Sequence, residues 1–107
     1  MIYVFDLDGT ICSNTNGDYS SAKPFLSRIA KINDLYSNGH VIILSTARGM
    51  GRSKNNAALS AQKWKSLTIQ QLNTWGVSYH ELYFGKPAGD FYVDDKAISD
   101  SDFFSSV

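Results

Sequence analysis

The sequence predicts an α/β layered fold, a parallel sheet flanked by helices, on three observations. Short runs of β-branched and aromatic residues alternate with stretches of helical periodicity; ionisable residues follow directly after each run; and 107 residues with a 43% hydrophobic and 19% charged content suit one soluble globular domain spanning 1–107, with no room for a second. That composition excludes disorder as the main state. Ten Lys plus Arg balance ten Asp plus Glu, so no overall field draws the chain to nucleic acid or an anionic membrane. No apolar run approaches the roughly 20 residues of a membrane span, and no signal-peptide pattern opens the chain. The single cysteine, Cys12, can form neither an internal disulfide nor a thiolate zinc site, as befits a reducing cytoplasm.

The elements follow in order. Ile2-Tyr3-Val4-Phe5 has no polar interruption, the pattern of a strand in a covered parallel sheet, and stops at Asp6-Leu7-Asp8-Gly9-Thr10. Residues 12–21, rich in Ser, Asn, Gly and Asp, read as a small exposed flap. After Pro24, the residues Phe25, Ile29, Ile32, Leu35 and Tyr36 keep helical spacing until Asn38-Gly39 supplies a left-handed stop. His40-Val41-Ile42-Ile43-Leu44-Ser45 is a second strand, followed by a small, basic segment from Arg48 to Lys54. A second helix begins near Asn56, carries Ala61, Trp64, Thr68, Leu72 and Trp75 on one stripe and closes at Gly76. A third strand is expected near 79–84. A short fourth, Phe91-Tyr92-Val93, would end at Asp94-Asp95, for about four strands in all.

Sheets of this kind bind ligands beyond the carboxyl ends of their strands. That edge is where the polar residues converge: Asp6 and Asp8 after strand one, Thr46 and Arg48 after strand two, Lys86 after strand three, Asp94 and Asp95 after strand four. Carboxylates so crowded repel one another unless a cation neutralises them or one stays protonated, and an all-oxygen donor set favours Mg²⁺ over zinc. A lysine and a hydroxyl at the same edge suit the spread charge of a phosphoryl group in transfer. The residues therefore point to phosphate chemistry. His40 and His80 precede strands and lie at the opposite edge; Asp90 stands at the start of strand four and reads as a turn residue; Trp64 and Trp75 read as core. Periodicity does not choose between Ser45 and Thr46.

These residues resemble the motifs of the haloacid dehalogenase superfamily. Asp6-Leu7-Asp8-Gly9-Thr10 looks like its first motif, Ser45-Thr46-Ala47-Arg48 its second, Lys86-Pro87 its third and Asp94-Asp95 its fourth, in the right order over essentially the whole chain. The stretch 22–50 and the ending Asp94-Asp95-Lys96-Ala97-Ile98 are similar to the capsule biosynthesis phosphatase branch. The resemblance implies a three-layer Rossmann-like core and hydrolysis of a small phosphate monoester, in that branch a sugar phosphate. It implies that Asp6 attacks phosphorus to form an aspartyl-phosphate, that Asp8 protonates the leaving oxygen and then activates water, that Thr46 bonds a phosphoryl oxygen, and that Lys86 neutralises shared charge. Gly9, Thr10 and Arg48 would contact substrate. Mg²⁺ would be held by the Asp6 carboxylate, the main-chain carbonyl of Asp8 and Asp94, with Asp95 contributing directly or through water.

The gaps between motifs are too short for a cap domain, which leaves the site open, to be covered by a second subunit in a homo-oligomer, the favoured expectation, or by a substrate large enough to be its own lid. Competing readings are a receiver-like phospho-accepting domain, which lacks its mid-chain Asp acceptor here, a non-catalytic phosphate-binding module, and a phosphatase for nucleic-acid ends, against which the neutral charge argues.

Overall fold

The structure, a computed structural model, describes residues 1–105. Strands β1 (Ile2–Phe5), β2 (Val41–Thr46) and β3 (Glu81–Phe84) form one parallel sheet in the order β1-β2-β3. Between them run α1 (Leu26–Ser37) and α2 (Ala57–Trp75), and a single turn of helix, α3 (Asp100–Phe103), follows. The two long helices stop and start where the sequence says. Asn56 Oδ1 accepts the Leu59 N–H at 3.1 Å to cap α2, and Gly76 at φ +72° closes it.

Register explains which residues form the core. Phe5, Leu44 and Leu82 lie across from one another, as do Tyr3 and Ile42, all on one face of the sheet. Ile29 and Ile32 of α1, Leu72 of α2, and Phe104 pack against that face with Phe5, Ile42 and Leu44. Both crossovers step in the same direction, and right-handed crossovers that do so put their helices on the same side. Ile2, Val4 and Tyr83, pointing the other way, are therefore exposed. The expected three layers are two here, since among the described residues the helix after β3, the single turn α3, brings Phe103 and Phe104 to the same face as α1 and α2.

The expected count of about four strands is corrected to three. Residues 91–93 pair with nothing, and Phe91 and Val93 are 88% and 97% exposed. The physical reason lies in the flanks. Ordering a residue's backbone costs about 1–2 kcal/mol, and a three-residue strand between a Gly/Pro turn and two aspartates, with no helix to pack on, buries too little to offset it. No cap domain interrupts the sheet: α1 fills the gap between Thr10 and Thr46, and α2 that between Thr46 and Lys86. Among the described residues no helix is long and apolar enough to cross a membrane.

Candidate active site

The end of β1 delivers Asp6 to the carboxyl edge of the sheet, and the chain then winds tightly. The Leu7 carbonyl accepts the N–H groups of Thr10, Ile11 and Cys12 at 2.9, 2.8 and 3.3 Å, which turns the backbone under the flap. Gly9 stands at φ +85°, where a Cβ would also lie 2.8 Å from Asn14 Nδ2, so only glycine fits the turn. Gly9 and Thr10 thus shape the loop: the Gly9 N–H donates to Cys12 O, and Thr10 O accepts from Arg28 Nη1 at 3.1 Å.

Asp6 is half-buried. Its carboxyl is pushed above the usual carboxylate range by burial, against the opposing pull of Lys86. Lys86 leaves β3 through Gly85, donates its N–H to Thr46 O at 3.2 Å, and sets Nζ 3.8 Å from Asp6 Oδ1 and 4.2 Å from the centre of the Tyr92 ring. The first and third predicted motifs therefore meet as an ion pair at the sheet edge.

Asp8 sits differently. Arg48, 2% exposed, donates from Nε to Asp8 Oδ2 and from Nη2 to Asp8 Oδ1, both at 3.0 Å, a two-pronged grip on one carboxylate. The other side of the guanidinium is held by α2, where Nη1 donates to Thr68 Oγ1 at 3.1 Å and Gln71 Oε1 at 2.6 Å. Cys12 Sγ lies 3.7 Å from Arg48 Nη2 and 3.5 Å from Asp8 Oδ1; burial pushes its thiol up to about 12, so it stays protonated. Arg48, expected at the substrate, lines the pocket while its donors are taken by protein partners. Thr46 is 1% exposed, and its hydroxyl accepts the Arg48 N–H at 3.1 Å, tying the turn after β2.

A pocket of about 290 Å³ opens over this edge, lined by Asp6 and Asp8 below, by Asn14 to Gly17 and Tyr19 of the flap, and by Ala88, Gly89 and Tyr92 opposite. The structure brings together Asp6, Asp8, Arg48, Thr46 and Lys86. It does not bring Asp94 and Asp95, which stand fully exposed beyond residues 91–93. Asp94 Oδ1 accepts the N–H of Lys96 at 3.0 Å, and that bond holds its carboxyl below the usual range.

For Mg²⁺ the donor set is incomplete. Among the described residues no three His, Cys, Asp or Glu side chains gather closely enough to hold a metal ion. Asp6 faces the pocket, and the grip of Arg48 on the Asp8 carboxylate leaves the main-chain carbonyl of Asp8, its expected ligand atom, unengaged. Of the four aspartates expected to hold the ion, Asp6 and Asp8 line the pocket and Asp94 and Asp95 do not.

Sequence reasoning missed Thr68 and Gln71 as polar anchors and Tyr19 as part of the wall. The signal was present. Thr68 and Gln71, three apart on the stripe that carries Leu72, are polar residues on a buried helix face, and such groups need partners.

The fold and the pocket define a class: a small α/β protein with an open parallel sheet and an acidic, arginine-braced pocket at its carboxyl edge. A crystal structure of a target protein from Vibrio cholerae is similar with a TM-score of 0.89 and 31% sequence identity over 97% of this chain and 87% of that one. The chain belongs to the same family as that Vibrio cholerae protein. No family model and no curated protein sequence matches it.

Proposed function

We propose that the chain is a phosphomonoester hydrolase acting through a phosphorylated Asp6. The observation that carries this reading is the Asp6–Lys86 pair, a carboxylate at a strand end with a cation 3.8 Å away on the wall of a small polar pocket. An Asp6 oxygen attacks phosphorus and the P–O bond to the leaving group breaks, while Asp8 gives that oxygen a proton. Asp8 then takes a proton from water, which attacks the same phosphorus, so that phosphate leaves and both aspartates return to their starting forms. Lys86 offsets the negative charge that builds between Asp6 and the phosphoryl group. Arg48 takes two of the roughly four lone-pair positions of the Asp8 carboxylate, which leaves room for a proton on the pocket side.

A pocket at the small end of the roughly 300–1,000 Å³ range of ligand sites, with amide and phenol groups on its rim, supports a small polar ester such as a sugar phosphate. Membership of the haloacid dehalogenase superfamily and a requirement for Mg²⁺ belong to the same proposal on the four sequence motifs, and a cytoplasmic setting belongs to it on the single cysteine. The test is phosphate release from a panel of monoesters, with Mg²⁺ and with chelator, by the wild type and Asp6→Asn. Turnover that Asp6→Asn loses supports the reading; turnover unchanged in Asp6→Asn rejects it.

A further inference from the structure

The amide of Gln71, on α2, stands between Arg48 and the flap. Its Oε1 accepts from Arg48 Nη1 at 2.6 Å, and its Nε2 donates to the main-chain carbonyl of Tyr19, in the flap, at 2.7 Å. The two bonds use one rigid planar group. Gln71 is 9% exposed, and Thr68 beside it, 1% exposed, gives Arg48 its second anchor at 3.1 Å. From Arg48 the chain of bonds continues to both oxygens of Asp8 at 3.0 Å. From Tyr19 it returns, because the phenol accepts the Gly49 N–H at 2.8 Å, next to Arg48. A neutral helix residue thereby fixes the direction of the Asp8 carboxylate and the height of the pocket wall together.

We propose that Gln71 is a positioning residue for the reaction: through Arg48 it aims Asp8 at the leaving oxygen, and through Tyr19 it holds the flap over the same pocket. The inference rests on the reading of Asp8 as the group that protonates that oxygen. A guanidinium with five donors can hold a carboxylate in one orientation only if its remaining donors are themselves anchored, and Thr68 and Gln71 are those anchors. Released from them, Arg48 remains paired to Asp8 but the pair swings as a unit, so proton delivery loses alignment while the attacking Asp6 is untouched.

The test compares two esters in the full-length protein. p-Nitrophenyl phosphate leaves as a stable phenolate and needs little help from an acid, whereas an alkyl phosphate must be protonated as it departs. Gln71→Met is expected to lower kcat for the alkyl ester by about tenfold or more and for the aryl ester by about threefold or less, since general acid help is worth roughly 10²–10⁴-fold. It also raises KM for both, through the freed flap. Gln71→Glu keeps an acceptor for Arg48 and loses the donor to Tyr19, so the alkyl-to-aryl ratio returns toward wild type while KM stays raised. Thr68→Val, nearly isosteric, shifts the ratio in the same direction as Gln71→Met and serves if that variant does not fold. An equal loss on both esters in a folded variant, or an unchanged ratio, overturns the positioning role alone. Absence of turnover by the wild type on every ester overturns the phosphatase reading and the positioning role with it.

Discussion

Two regions of this molecule carry the predicted motifs, and they are held in opposite ways. The first, from Asp6 through Cys12 with Arg48, Thr68 and Gln71, is a bonded network against the core, in which nearly every polar group has a partner and the central arginine is sealed from water. The second, residues 85–99, leaves β3 and crosses to α3 without a strand or a helix, with Phe91, Val93, Asp94 and Asp95 in solvent. Of its residues Ala88, Gly89 and Tyr92 line the pocket, and Lys86 pairs with Asp6. Motifs that follow a packed strand inherit the strand's precision, whereas a motif whose strand has no packing partner does not.

Breaking the first region has the largest expected effects. Asp6→Asn removes the attacking charge at constant shape and is expected to reduce turnover by about 10³-fold or more in phosphate-release assays. The same variant is expected to melt at a higher temperature than the wild type at neutral pH. The sign follows from burial: a carboxyl raised in the folded state favours folding only below its ordinary range and opposes it once pH passes through the raised value. An Asp6→Asn protein that melts lower contradicts the buried-charge account of that residue. Arg48→Met leaves Asp8 without its partner and strands Thr68 and Gln71, for an expected destabilisation of about 3 kcal/mol in urea titration.

Lys86→Ala removes the cation that pulls the Asp6 carboxyl down, so the acidic limb of the rate profile moves to higher pH. An acidic limb that stays in place removes Lys86 from the account. On the second region, chelation is expected to abolish turnover and added Mg²⁺ to restore it, and Asp94→Ala to raise the Mg²⁺ needed for half-maximal rate by about tenfold, in line with loss of one ligand or its support. Full activity in chelator rejects the magnesium requirement and with it any role for Asp94. The smallest effect belongs to Phe91→Ser with Val93→Ser. Both side chains are exposed, so stability is expected to change by less than about 0.5 kcal/mol; a larger loss means the segment is packed.

Much of the first region was legible in the sequence. The strand Ile2–Phe5, the helix cap at Asn56, the left-handed Gly76 and the meeting of Asp6 with Lys86 all follow from local patterning and from the rule that parallel strands present their carboxyl ends together. Arg48 was placed in the right loop and lines the pocket, but its partners within the protein were not foreseen. The small, basic segment that it opens shows no periodicity, yet Met50 is 2% exposed, and the arginine turns inward onto two polar residues of α2. Sequence spacing does not reveal such a pairing across 23 residues. Phe91-Tyr92-Val93 has strand composition, but composition does not say whether a neighbour exists to bury it.

The central claim is that Asp6 forms a covalent bond to phosphorus, and it is tested most directly by trapping that bond. Wild-type protein turning over a phosphate monoester is quenched with borohydride, which reduces an acyl phosphate to the alcohol, and the peptide spanning β1 is sequenced by mass spectrometry. Reduction at Asp6, dependent on substrate and absent in Asp6→Asn, is the predicted result. Turnover with no modification at Asp6, or with the trapped group on Asp8, contradicts it.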